Sequence, residues 1–209
     1  MAIRTFLHVG CGPARKGPRT LGFDTSEWSE IRLDIDPSVA PDIIASITDL
    51  SPVETGSVDA VFSSHNIEHL YPHEAPRALR EFNRVLNDDG YLVITCPDIL
   101  SISAFIAANG IEAIAYQSGM GPITPRDMLY GHNESIARGN EFMAHRTAFS
   151  RESMARILSQ CGFGSVLSLT KPARFELWAI AAKREHSHEE MNMFAALHVP
   201  GFTQSRQAA

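Results

Sequence analysis

Leu7-His8-Val9-Gly10-Cys11-Gly12 is an apolar run that stops on two glycines, and Glu30-Ile31-Arg32-Leu33-Asp34 is a run that stops on an acid. The first belongs to a strand, Arg4 to Val9, cut by Gly10-Cys11-Gly12-Pro13. Glycines at a strand end let a ligand come close to the backbone. Asp34 follows Gly12 by 22 residues. That is near the offset of about 20 at which an acid accepts hydrogen bonds from a ribose diol. The third glycine of a dinucleotide fingerprint would fall on Arg15, and Pro13 intervenes. The pattern therefore suits an adenosyl ligand without a pyrophosphate.

Working outward, Asp42 to Ser46 is a short strand and Ser57 to Ser63 a nearly continuous apolar one, as a buried parallel strand should be. His73 to Leu86 places Ala75, Leu79, Phe82, Val85 and Leu86 on one helical face. Asn87-Asp88-Asp89-Gly90 stops that helix, and Tyr91 to Cys96 is a strand closed by Pro97. This alternation predicts a mostly parallel sheet with crossovers. Residues 99–115 read as a helix. The stretch 117–147, within an insert at about 116–148, is rich in Gly, Pro, His, Asn and Arg and too long for an ordinary connection. It is expected to be a functional lid or a disordered insert. Ser150 opens a helix that Gly162 ends. Ser165 to Thr170 and Glu176 to Lys183 form an antiparallel hairpin about Lys171-Pro172-Ala173. Phe149, Leu158 and Phe163 read as core, and Cys11 and Cys161 as small buried residues. One domain over 1–184 is expected, with 185–209 a tail or docking arm.

The chain has 209 residues, 44% of them hydrophobic, enough for one substantial core. A net charge of -6 excludes a globally basic surface, so a small-molecule partner is expected rather than nucleic acid. No stretch approaches the ~20 apolar residues that cross a bilayer. No secretory leader is read at the start. Cys11, Cys96 and Cys161 form no CxxC pair, which fits reduced thiols and a cytoplasmic setting. A homodimer through the tail or the insert is the default expectation.

The sequence resembles the class I S-adenosylmethionine-dependent methyltransferases, within them a group with an LHLGCG-type first motif. Leu7 to Gly12 carries it, as do Leu33-Asp34-Ile35-Asp36-Pro37, Thr48-Asp49-Leu50 and Ser57-Val58-Asp59-Ala60-Val61. Ser64-His65-Asn66-Ile67-Glu68-His69-Leu70 matches the group's SSHxxEHL segment, and Arg84-Val85-Leu86 through Pro97-Asp98 its last shared block. His8 stands where most class I enzymes carry an acid, a departure the group shares. The resemblance implies a Rossmann-like α/β fold: a mostly parallel seven-stranded sheet, a C-terminal antiparallel hairpin and a lid insert. It implies S-adenosylmethionine as cofactor and S-adenosylhomocysteine as product. Val9, Gly10, Cys11 and Gly12 would pass along the methionine moiety, Asp34 would hold the ribose and Ile35 would pack on the adenine. Asp49 would accept from the adenine amino group with Leu50 beside the ring. Ser64, His65 and Asn66 would border methionine and acceptor.

For the acceptor, Tyr130, His132, Asn133, His145 and Arg146 in the insert are the candidate binding residues. His65, His132 and His145 are the candidate bases, and a small-molecule acceptor with an oxygen nucleophile is favoured over nitrogen or carbon. Two rivals exist. His65-Asn66-Ile67-Glu68-His69 is an HxxEH match, the signature of a zinc hydrolase. That geometry needs both histidines on one face of a stable helix, whereas this segment follows a strand and meets Pro72, so no metal is expected. The other rival is a non-catalytic adenosyl-binding subunit.

Overall fold

A computed structural model describes residues 3–202. Seven strands form one sheet in the order β3-β2-β1-β4-β5-β9-β8, and β6-β7 is a separate two-stranded ribbon. The strands are β1 (Arg4–Val9), β2 (Trp28–Asp34), β3 (Ile43–Ile44), β4 (Val58–Ser64), β5 (Leu86–Pro97), β6 (Tyr116–Ser118), β7 (Gly121–Ile123), β8 (Ser165–Lys171) and β9 (Glu176–Ala182). The helices are α1 (Ala75–Val85), α2 (Ile99–Asn109), α3 (Pro125–Tyr130), α4 (Asn133–Ala137), α5 (Arg151–Gln160) and α6 (His188–His198). Pairings β3·β2, β2·β1, β1·β4 and β4·β5 are parallel; β5·β9 and β9·β8 are antiparallel. The seven-stranded α/β sheet with its terminal hairpin is thus as the sequence predicts.

Alternation along each strand divides the core. Leu7, Val9, Val61, Leu92 and Ile94 face α1 and α5, which bury Ala78, Leu79, Phe82, Val85, Met154 and Leu158 against them. Phe6, Phe62, Tyr91 and Val93 point the other way. On that face the links from β1 to β2 and from β2 to β3 hold no α-helix among the described residues, only the 3-10 turns Leu21–Phe23 and Pro37–Val39. The cover comes instead from α6, inside the stretch read as a tail. Met191, Ala195 and Val199 are buried against Phe23 and Tyr91. A Cβ on Gly22 would meet the Leu197 carbonyl at 2.7 Å, so glycine is what lets α6 come this close.

Two local differences from the sequence reading have physical causes. β5 starts at Leu86 because Leu86 pairs with Val58, and the next partner of β4 is Tyr91; Asn87 to Gly90 bulge out between them. The insert is ordered structure, and its disordered reading is corrected. Thr124 and Asp127 close a capping box on α3. Ile123 and Met128 bury themselves against Ile102 of α2. No helix among the described residues is long and apolar enough to cross a membrane.

Candidate active site

The strand order reverses between β1 and β4, and a sheet of this kind binds ligands beyond the carboxyl ends of the strands at that point. Three strand ends meet there. Gly12 N–H donates to Asp34 Oδ2 at 2.7 Å, which joins β1 to β2. Asn66 Nδ2 donates to the Val9 carbonyl at 2.5 Å, and Ser63 Oγ donates to Asn66 Oδ1, which joins β1 to β4. Gly10 and Gly12 both have positive φ, +60 and +53. A Cβ on Gly10 would collide with Asn66, whereas nothing lies within 4 Å of one on Gly12, so the turn presents bare backbone to open space.

The loop after β1 is held by a buried cation. Arg32 is 2% exposed and donates to the carbonyls of Gly12, Ala14, Val39 and Ala40. Glu30 on β2 sits 2.8 Å from His8 and accepts from Lys16 N–H, so a carboxylate reaches the neighbourhood of His8 from the next strand. Burial lowers the His8 pKa, with Glu30 opposing it.

Ile35 is 48% exposed at the end of β2, an apolar surface open to an aromatic ring. Asp49 is exposed, and its carboxylate accepts from Ser51 N–H. A concavity of about 540 Å³ lies beside it, lined also by Arg77, Arg80, Glu81 and Arg84 and by none of the histidines. An open glycine turn, a strand-end acid, an exposed isoleucine and a second acid fit an adenosyl group. Some of the expected contact residues have groups already engaged within the protein. Leu50 has 0% exposure, its N–H donates to Glu81 and its carbonyl accepts from Arg84, so neither side chain nor backbone is free for a ring. The Cys11 side chain is buried, and the Val9 carbonyl accepts from Asn66.

Beyond β4, the 3-10 turn Ile67–His69 carries the second half of the site. His65 has φ +50 and a half-exposed side chain, with Nδ1 3.4 Å from Glu68 Oε1. Glu68 is 1% exposed, and neither carboxylate oxygen has a hydrogen-bond partner. Its carbonyl accepts from Arg146 and Thr147 N–H, which draws His145 in until Nε2 is 4.0 Å from Glu68 Oε1. His69 and His145 rings lie 4.9 Å apart. Burial opposes the charge on Glu68, but His65 and the two other imidazoles outweigh it and lower its pKa. Desolvation opposes a charged His65, and Glu68 outweighs it and raises the pKa. His145 is lowered by burial. Glu68 is the central residue that the sequence reading left inside a rejected motif; its isolation from water has no sequence signal.

The insert candidates divide. His145 joins the cluster, and Arg146 lays its guanidinium 4.8 Å over the Tyr71 ring. His132 has a structural part: its Nδ1 accepts from Ser135 N–H and caps α4, which engages that nitrogen. Asn133 is tied to Asp127, also away from the cluster. Tyr130 is 57% exposed, with its carbonyl accepting from His145 N–H.

Residues 7–94 match the family described as a methyltransferase domain. That stretch is similar to a methyltransferase domain. S-adenosylmethionine is its cofactor, and the residues at the three strand ends fit it. Solved structures share the fold at low identity. A SAM-dependent methyltransferase from Methanosarcina mazei is 16% identical with a TM-score of 0.54, covering 88% of this chain and 95% of its own. A Burkholderia thailandensis 1,6-didemethyltoxoflavin-N1-methyltransferase, solved with its acceptor and S-adenosylhomocysteine, is 13% identical at TM-score 0.52, covering 88% and 72%. A possible exported protein from Bordetella parapertussis is 13% identical at TM-score 0.55; the match spans 88% of this chain but 63% of that longer one. No curated protein matches the sequence.

Proposed function

We propose that this chain transfers a methyl group from S-adenosylmethionine to an oxygen of a small-molecule acceptor bound between the end of β4 and the insert. The carrying observation is the His65–Glu68 pair, at 3.4 Å, one residue beyond the strand end that borders the cofactor edge. The cofactor supplies an already activated methyl group when bound. The protein's part is then alignment, exclusion of water and removal of the acceptor's proton. Gly12 and Asp34 hold the cofactor edge open, and Ser64 and His65 face its reactive end. The Glu68 carboxylate favours a protonated His65 through its charge, and the His65 ring accepts the acceptor's proton. Tyr130, His145 and Arg146 line the acceptor side, and Tyr116, Met120 and Phe142 add exposed apolar surface from the insert. The net charge of -6 favours a small acceptor over nucleic acid. A cytoplasmic setting and a homodimer remain part of this reading.

Calorimetric titration with S-adenosylmethionine and S-adenosylhomocysteine tests the first half. Saturable binding of both is expected, weakened at least roughly tenfold by Asp34→Asn, a loss of about 1.4 kcal/mol. A panel of hydroxyl, amine and carbon-acid acceptors, scored by mass for S-adenosylhomocysteine release, tests the second. Turnover confined to amines would overturn the oxygen assignment. Absence of cofactor binding by folded protein would overturn the whole reading.

A further inference from the structure

Glu68 poses a problem in electrostatics. A carboxylate at 1% exposure with no donor on either oxygen is a large desolvation cost left without hydrogen bonds. Imidazoles surround it without closing on it, at 3.4 Å for His65 Nδ1 and 4.0 Å for His145 Nε2. The cavity bordering Glu68 and His145 is about 10 Å³, the space of about one water. Its other walls include Pro97, Ile99, Ile102, Met128 and Leu129, so a water there would find few partners.

The His145 imidazole is set as a ligand rather than as a donor to Glu68. His145 Nδ1 lies 2.9 Å from the Met128 carbonyl. In the neutral ring that nitrogen donates, which leaves Nε2 a lone pair aimed at Glu68, the way an outer hydrogen bond orients a metal-bound histidine. His69 has Nδ1 3.1 Å from the Ala144 carbonyl and Nε2 3.2 Å from the His65 carbonyl. A neutral ring has one donor, so one of its nitrogens faces an oxygen with no proton between. Ligand atoms of Glu68, His69 and His145 all lie within 4.8 Å of one another. They need to close by about 1 Å to meet an ion at 2.0–2.2 Å.

We propose that Glu68, His69 and His145 bind one divalent transition-metal cation, whose open position takes the acceptor oxygen. Two imidazoles and one carboxylate are a donor set for zinc or ferrous iron, and three protein ligands leave coordination free. His65, half exposed at the edge of this cluster, then receives the proton of the acceptor hydroxyl that the cation acidifies. The acceptor's role rests on the methyl-transfer reading; the cation site does not. The HxxEH spacing supplies two ligands here through a 3-10 turn that brings them to the third from the insert, without the long helix of a zinc hydrolase.

The test uses untagged protein, stripped with a chelator and titrated with zinc, with metal content also measured by mass spectrometry after dialysis. About one equivalent of zinc per chain is expected. Glu68→Gln and His145→Gln should each weaken it by at least roughly 100-fold, the upper range for loss of an outer partner alone. Cobalt in place of zinc should give visible d–d bands that both variants lose. S-adenosylhomocysteine affinity is measured on the same samples. If Glu68→Gln does not fold, His145→Gln carries the comparison, since that side chain is only partly buried. Zinc well below one equivalent, or affinity unchanged in the folded variants, overturns the cation site. Zinc binding without S-adenosylhomocysteine binding overturns the methyl-transfer reading and leaves the site standing.

Discussion

Arg32 Nη2 donates to the Gly12 carbonyl at 2.6 Å, from a side chain that is 2% exposed. The same guanidinium holds Ala14, Val39 and Ala40, so the turn after β1 and the turn after β2 hang on one cation. In a fold with a crossover helix there, helix packing would fix the glycine turn; here a hydrogen-bonded arginine does. Arg32→Met should leave those carbonyls unsatisfied at about 1–3 kcal/mol each before relaxation, with a net loss of about 3 kcal/mol or more. Urea denaturation measures it. Cofactor affinity should fall as well, because the Gly12 backbone is no longer pinned. A variant as stable and as tight-binding as the parent would sink this account.

The two glycines of the turn should respond differently to alanine. Both have positive φ, so each pays roughly 1–2 kcal/mol of backbone strain. Only Gly10 is also blocked, by the Asn66 side chain that bonds to Val9. Gly10→Ala should therefore lose the β1–β4 clamp and destabilise the protein well beyond Gly12→Ala. Thermal melts of the pair check the order; equal losses would mean that Asn66 moves aside freely.

The sheet was legible because its cues are local. Val9-Gly10, Leu33-Asp34 and Ser63-Ser64 each mark a strand end with residues whose backbone demands are specific. The missing crossover helix was not legible: Pro13, Pro18 and Gly17 exclude a helix, yet nothing local says that α6 takes its place from far along the chain. Glu68 was visible only as part of a motif, because burial is a property of the assembled insert and not of residues 65–69. The capping part of His132 was hidden for the opposite reason, since a histidine that caps a helix looks in sequence like one that serves a substrate. The same distance from local cues hid the role of His198.

His198 is 2% exposed and shares a 2.9 Å hydrogen bond with the Tyr91 hydroxyl. Burial, with a smaller push from Arg4, lowers its pKa to about 4. The unfolded chain takes up this proton near pH 6.5 while the folded one does not until about pH 4, so stability falls as pH drops through that window. The full effect is about 3 kcal/mol. His198→Gln keeps an acceptor for Tyr91 and removes the titration. Urea midpoints between pH 7 and pH 4 should fall less steeply for the variant; parallel profiles would show that other groups dominate.

His65 and His132 separate a base from a cap. At φ +50, His65 occupies backbone that asparagine tolerates, so His65→Asn tests the ring without added strain. Removing a general base costs about 10²–10⁴ in rate, and the loss should appear in kcat with cofactor affinity held. His132→Ala instead removes a side-chain cap from α4, worth about 1 kcal/mol locally, and should leave kcat within about threefold. His132→Asn, which keeps a capping oxygen, should restore the lost stability. Should His132→Ala abolish turnover and His65→Asn spare it, the proton acceptor lies in the insert and the pair at the end of β4 is structural.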